Sequence, residues 1–193
     1  MKNYPEENHE DETFKSQHFT DISFSRCSFI RCEFISCRFT GCDFRNTSFI
    51  ECAFKNCSLD STKMDGCRFQ HACFEESKIM GAEFHQCDKT FFAVRFEQSI
   101  LMACNFSELK MKHTRFCGSK VKECYFNDTH LSESDFTNTD LEGTLFHHCD
   151  LSKTDFSGAI NYSINPQANI LKKATFSAPE VLALLSFFDI QIK

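Results

Sequence analysis

Residues 24–59 read FSRCSFIRCEFISCRFTGCDFRNTSFIECAFKNCSL, and the interval between their aromatic residues decides the fold. Phe24, Phe29, Phe34, Phe39, Phe44, Phe49 and Phe54 stand five apart, and Leu59 keeps the beat. A helix repeats every 3.6 residues and a strand every 2. A strict period of five belongs to neither and needs a unit that resets every five residues.

Outward from this stretch, the beat begins at Phe14 and Phe19 and runs on through Met64, Phe69, Phe74, Ile79 and Phe84. A second series follows: Phe91, Phe96, Leu101, Phe106, Met111, Phe116, Val121, Phe126, Leu131, Phe136, Leu141, Phe146, Leu151 and Phe156. Of the 24 Phe, only Phe92, Phe176, Phe187 and Phe188 fall outside these 29 centres, so aromatic content and period are one signal. The step from Phe84 to Phe91 is seven residues, which predicts a small bulge near 85–92.

Other residue types keep the same clock. Cys27, Cys32, Cys37, Cys42, Cys52, Cys57, Cys67, Cys104, Cys124 and Cys149 stand two before a centre, and Cys87 continues the beat of the first series. All six Gly stand two after a centre, a slot shared with Asp21, Asn46, Asn56, Asp128 and Asn138. Gly, Asn and Asp tolerate positive φ, so this slot reads as a corner. The centre and the small residue before it point inward, and the others face water. If a coil has four faces it takes 20 residues, and its backbones pair as parallel strands about 4.8 Å apart. The 29 centres then make about seven coils, stacked as a one-dimensional solenoid. Phe34 and Phe54 belong to one inward column; Phe96, Phe116, Phe136 and Phe156 to its continuation, with Phe106, Phe126 and Phe146 opposite and aliphatic residues between.

The triplets CDF at 42–44, SDF at 134–136, TDL at 139–141, CDL at 149–151 and TDF at 154–156 resemble the pentapeptide-repeat family, written A(D/N)LXX with Leu or Phe at the centre. The resemblance covers about 14–158. It implies an all-β fold, a right-handed quadrilateral parallel β-helix of pentapeptide repeats. On this reading 1–13 is a polar, acidic tail, 14–160 the β-helix, and 161–193 a capping and dimerisation segment with a short C-terminal helix. Ser177 and Glu180 form a capping-box pattern opening a helix from about Ala178. Phe188, Ile190 and Ile192 alternate with polar residues as a short strand would. An open apolar coil end needs a cap, and the apolar residues Val181, Leu182, Leu184, Leu185, Phe187, Phe188 and Ile190 are the expected contacts of a two-fold homodimer.

That C-terminal segment, NPQANILKKATFSAPEVLALLSFFDIQIK, is similar to the dimerisation end of one subgroup, the quinolone-resistance proteins that protect type II topoisomerases. The resemblance implies a partner, DNA gyrase or topoisomerase IV, and a mechanism, mimicry of duplex DNA. Charge tests it. The chain carries a net −6, but residues 14–121 carry +3 and residues 122–156 carry −6. A rod of roughly 35 Å, doubled in a dimer, falls far short of the one charge per ~1.7 Å of duplex DNA. The seven units of 122–156 span about 8 Å and reach that density locally. Asp135 and Asp155 share one face, Glu123, Asp140 and Glu142 the next, and Asp128, Glu133 and Asp150 the others. These eight acids are the expected topoisomerase contact. The alternative left open is an interaction scaffold with no topoisomerase role, its acids ordinary surface.

Several functions are expected to be absent. The acidic balance argues against direct nucleic-acid binding. No run of 18 apolar residues exists, which argues against a membrane span. The polar N-terminus is no signal peptide, so a reducing cytoplasm and free thiols are expected. Four inward thiols at Cys27, Cys32, Cys37 and Cys42 lie at separate corners with Phe between them and cannot share one tetrahedral metal. Cys73 and Cys117, beside centres, should face outward as the reactive thiols. The eight His are read as outward or, for His9, in the tail. Neither a catalytic triad nor a phosphate loop is visible, and a filled interior leaves no pocket for small-molecule chemistry. The reading is a non-enzyme without cofactor or metal. Ile30, Ile35, Ile50, Met80, Phe92, Ile100, Met102 and Leu145 are the apolar residues at outward slots.

Overall fold

The computed structural model describes residues 2–5 and 7–191. Its chain winds into a parallel β-solenoid with four short faces per turn and residues 20 apart in register. The first face stacks Phe14, Phe34, Phe54, Phe74, Phe96, Phe116, Phe136, Phe156 and Phe176, which makes nine layers. The second face carries Phe19, Phe39, Leu59, Ile79, Leu101 and Val121. Phe24, Phe44, Phe84, Phe106, Phe126 and Phe146 lie on the third, and Phe29, Phe49, Phe69 and Met111 on the fourth. Nine turns at about 4.8 Å give a rod of roughly 43 Å, longer than the periodicity of Phe alone indicates.

Most rings on one face stack nearly parallel, with Phe24 and Phe44 tilted at 41°. Phe34–Phe54 and Phe116–Phe136 have centroids 4.8 and 4.5 Å apart at 11°. Rings on adjacent faces meet edge to face, as Phe29 and Phe34 do at 5.4 Å and 70°. Both geometries suit the ring quadrupole and add about 0.5–1.5 kcal/mol per pair beyond burial.

The corners fall where the five-residue clock puts them. From Asp11 to Gly158, every residue of positive φ stands two after a centre. Most of these are not Gly, and each such residue costs about 1–2 kcal/mol in that conformation. The backbone ladder and the packed rings hold the corners there. Gly66 has a further constraint, because a Cβ there would sit 2.6 Å from Oδ1 of Asn46 in the corner of the preceding coil.

The small inward slot also has a chemical role that its size alone does not reveal. Its side chain donates to the carbonyl of a centre residue 23 positions earlier. Thr47 bonds Phe24 O at 2.7 Å, Thr144 bonds Val121 O at 2.6 Å, and Cys52 and Cys149 reach Phe29 O and Phe126 O at 3.3 and 2.8 Å. These carbonyls lie inside the coil, where a buried acceptor needs a partner. Cys, Ser and Thr are the residues that combine small volume with a donor.

The solenoid extends beyond both boundaries expected from the sequence. The described residues of 1–13 are not a free tail. Lys2–Asn3 pairs with Ile22–Ser23, and Asn8–Glu10 with Ser28–Ile30. Tyr4 and His9 take inward centres, with rings 4.8 Å from Phe24 and 4.9 Å from Phe29. His9 is therefore an inward histidine, contrary to the reading that leaves it in the tail; its polar neighbours masked the beat. At the other end the coil runs past 160, with Phe146 paired to Ile164 and Phe156 to Phe176.

The bulge lies where the seven-residue step puts it, with a correction. Phe74 pairs with Phe96, a step of 22, so two residues are absorbed within one turn. Phe91, the expected centre, is 60% exposed, and Phe92 is buried in its place. Asp88 fixes this loop by accepting the Thr90 N–H at 2.9 Å and the Arg68 guanidinium at 3.0 Å. Those bonds turn the chain one residue late.

The C-terminal helix is a 3₁₀ helix over Glu180–Phe187 rather than one opening at Ala178. No capping box forms, because the Ser177 hydroxyl instead accepts the Gly158 N–H at 2.9 Å. Phe188 and Ile190 join no strand, and Ile192 lies outside the described residues. Ala183 and Leu184 pack on the last coil.

Candidate functional site

The eight acidic residues lie on successive coils, as the period requires, directly beside a coil rich in bases. Columns run Arg115, Asp135, Asp155; Lys120, Asp140; and Lys110, His130, Asp150. The charge changes sign within one rise of the ladder, and side chains reach across the border. Lys122 bonds Asp140 at 2.8 Å and Glu142 at 2.7 Å. Lys112 and Lys153 flank Glu133 at 3.2 and 3.5 Å, and Arg115 approaches Asp135 at 3.9 Å. Asp128 faces His148 at 3.6 Å. Counting Lys112 and Arg115 with 122–156 reduces its net −6 to −4. These counter-charges are legible in the sequence only when residues 20 apart are read as neighbours.

Four of the acids also shape the backbone. Oδ1 of Asp135, Asp150 and Asp155 accepts the N–H two residues on, at 2.9, 3.0 and 2.8 Å, and Asp140 does so at 3.3 Å. This Asx turn diverts the N–H after the centre into a local bond. Its preference for Asp just before a centre is thus structural as well as electrostatic. At Asp140, burial acts to raise the carboxyl pKa, but the bonds from Lys122 and Asn161 outweigh it and leave the pKa lowered. The Ser152 bonds lower that of Asp150, and the Lys112 bond that of Glu133. Among the described residues, Glu123 alone of the eight has neither an ion pair nor a side-chain hydrogen bond.

The apolar C-terminal residues remain partly open. Leu182, Phe188 and Ile190 are exposed, and Val181, Leu184, Leu185 and Phe187 are half-buried. Phe187 lies by Leu145 and Phe146 of the last complete coils, and the exposed Ile160 and Ile170 continue the apolar end. The coil end is therefore covered but not sealed.

The thiols are mostly sequestered. Twelve of the 13 Cys are buried and Cys117 is half-buried. Burial pushes Cys52 and Cys57 up to about 12 and Cys149 up to about 11. Cys73 does not behave as the exposed thiol expected from its slot. It is 3% exposed, bonded to Glu75 at 3.2 Å, and pushed by burial to about 11. Among the described residues, no group of three or more His, Cys, Asp or Glu is placed to hold a metal ion. No helix among them is long and apolar enough to cross a membrane.

No curated protein matches the sequence. Two trypsin-treated variants of QnrB1, a plasmid-mediated fluoroquinolone resistance protein, align at 18% and 19% identity. They cover 97% and 100% of this chain and 100% and 96% of theirs, with TM-scores of 0.46 and 0.47. HetL, a pentapeptide-repeat protein involved in heterocyst differentiation regulation from the cyanobacterium Nostoc sp. strain PCC 7120, aligns at 12% identity. It covers 87% of this chain and 84% of its own, with a TM-score of 0.53, which shows the shared fold. The profile described as a pentapeptide repeat region matches residues 27–90 and 89–160. That match spans more than half of the sequence and coincides with the coils whose centres, corners and inward donors recur every five residues, so this chain belongs to the pentapeptide-repeat family.

Proposed function

We propose that this protein is a binding rod that acts through its exterior, and that its partner is a type II topoisomerase, DNA gyrase or topoisomerase IV, which it protects from quinolones or related poisons. The observation that carries the proposal is the juxtaposition of a solid interior with one acidic stretch. Phe34 and Phe136 are 1% and 0% exposed, so recognition falls to the surface. The acidic coils 122–156 lie next to the apolar end. Pairing of two copies through Val181, Leu182, Leu184, Leu185, Phe187, Phe188 and Ile190 would set two acidic stretches about one two-fold axis, facing a two-fold partner. The stretch acts as a local substitute for duplex DNA.

One observation favours the second reading, a scaffold for another protein: Lys122, Lys112 and Arg115 already neutralise part of the acidic stretch. A gyrase supercoiling assay with and without a fluoroquinolone separates the two. The topoisomerase reading predicts restored supercoiling in the presence of the drug. It also predicts loss of that rescue in the variant combining Asp135→Asn, Asp140→Asn, Glu142→Gln and Asp155→Asn. No rescue by the unaltered protein would leave the scaffold reading.

A further inference from the structure

The two-residue insertion does more than displace Phe91. On the fourth face the continuous ladder ends at Arg68–Gln70 and resumes only where Lys110 bridges His130. Among the described residues, no backbone hydrogen bond joins 88–93 to 110–113; the coils re-engage at Phe96, whose N–H donates to Arg115 O at 2.8 Å. The gap opens a cleft of about 360 Å³, within the size range of small-ligand sites. The interior is filled as expected, but the exterior carries a hollow that the sequence reading leaves out.

The lining of this cleft is one-sided in charge. His71, Arg95, Lys110, Lys112, His113 and Arg115 surround it, and no Asp or Glu lines it. Lys112 and Arg115 are partly compensated by Glu133 and Glu97. Among the described residues, Lys110 makes no ion pair, whereas Arg95 hydrogen-bonds the Cys73 thiol and faces Glu97 and Glu75. Phe92 lines the cleft, and the exposed Phe91 lines an adjoining hollow that shares His71, Phe92, Ala93 and Lys110 and adds Lys89. An exposed aromatic ring beside clustered Lys and Arg combines a stacking platform with phosphate donors.

We propose that this cleft and the adjoining hollow together bind a small phosphorylated ligand with a planar ring, of the nucleoside diphosphate class, with the phosphates among Lys110, Lys112 and Lys89 and the base on Phe91. A long polyanion fits less well, because Glu133 and Asp150 stand on the next coils of the same face and would repel its continuation. The proposal does not depend on the topoisomerase reading.

Isothermal titration of the full chain with ADP, pyrophosphate, adenosine and a 20-nucleotide single-stranded DNA tests it. ADP should bind more tightly than pyrophosphate or adenosine. The double variant Lys110→Gln, Lys112→Gln should weaken ADP by about tenfold or more with its melting temperature unchanged. Phe91→Ala should weaken ADP by roughly fivefold or more and leave pyrophosphate unaffected. Absence of ADP binding at millimolar concentration, unchanged affinity in the double variant, equal effects of Phe91→Ala on ADP and pyrophosphate, or tighter binding of the oligonucleotide than of ADP would each overturn it.

Discussion

The coil from Phe29 to Phe44 and the coil from Phe136 to Leu151 have the same path but different contents. The first places four Phe around one layer, with Cys27, Cys32, Cys37 and Cys42 in the small slots. The second alternates Phe136 and Phe146 with Leu141 and Leu151, and its small slots hold Ser134, Thr139, Thr144 and Cys149. The backbone follows the contents. Ser28–Ile30, Glu33–Ile35 and Arg38–Thr40 are three-residue strands, whereas around Asp135, Asp140 and Asp150 single bridges alternate with turns. Three faces of the lower coil rely on ring contacts and regular ladder, with one Asx turn at Asp43; the upper coil uses hydroxyl donors and has Asx turns at Asp135, Asp140 and Asp150. One five-residue rule therefore tolerates two ways of stabilising a layer.

The most damaging way to break this comparison is a charge in the lower layer. Phe34→Asp places a carboxylate without a partner among stacked rings, and should abolish the cooperative transition in urea unfolding by costing several kcal/mol. Truncation is graded: Phe34→Ala should cost about 3–5 kcal/mol and Leu141→Ala about 2–5. Measured by the same method, the lower-layer loss should be the larger.

The small slots sharpen the contrast. Thr144→Val leaves the Val121 carbonyl without its 2.6 Å donor and should cost about 1–3 kcal/mol. Cys52→Ser retains a donor toward Phe29 O and should change stability by less than about 1 kcal/mol. Asp135→Ala should cost about 1 kcal/mol through its Asx bond, while Asp135→Asn keeps that acceptor and should be nearly neutral.

The smallest expected effect is on pH dependence at the bulge. The Thr90 N–H and hydroxyl, followed by Arg68, hold the Asp88 carboxyl down to about 2 from its ordinary 3.8. A lowered folded-state pKa stabilises the fold fully above 3.8, and that contribution disappears as pH falls through about 2. Acid unfolding followed by circular dichroism should show a slightly weaker dependence between these values in Asp88→Asn.

The core was legible in the sequence because one bulky residue in five admits few alternatives: Phe34, Phe54, Phe96, Phe116, Phe136 and Phe156 form the expected column. The ends were not, because Tyr4 and His9 replace Phe at the first coil and Tyr162 and Asn169 occupy small slots at the last. Asn169 still supplies the slot chemistry, accepting from Cys149 N–H and donating to Phe146 O. Phe91 and Phe92 were exchanged because periodicity counts residues, whereas the Asp88 turn decides which of two adjacent rings enters the core. The bases that pair with the acidic residues were missed: an ion pair such as Lys122–Glu142 spans 20 positions and looks remote along the chain.

The central claim is that the protein is a solid rod whose small slots, thiols included, lie inside the coil. Titration of native protein with an aromatic disulfide reagent tests this most directly. The account predicts one rapidly reacting thiol, Cys117, and all 13 in denaturant. Rapid reaction of several of Cys27, Cys52, Cys73, Cys104 and Cys149 in the folded protein would contradict it.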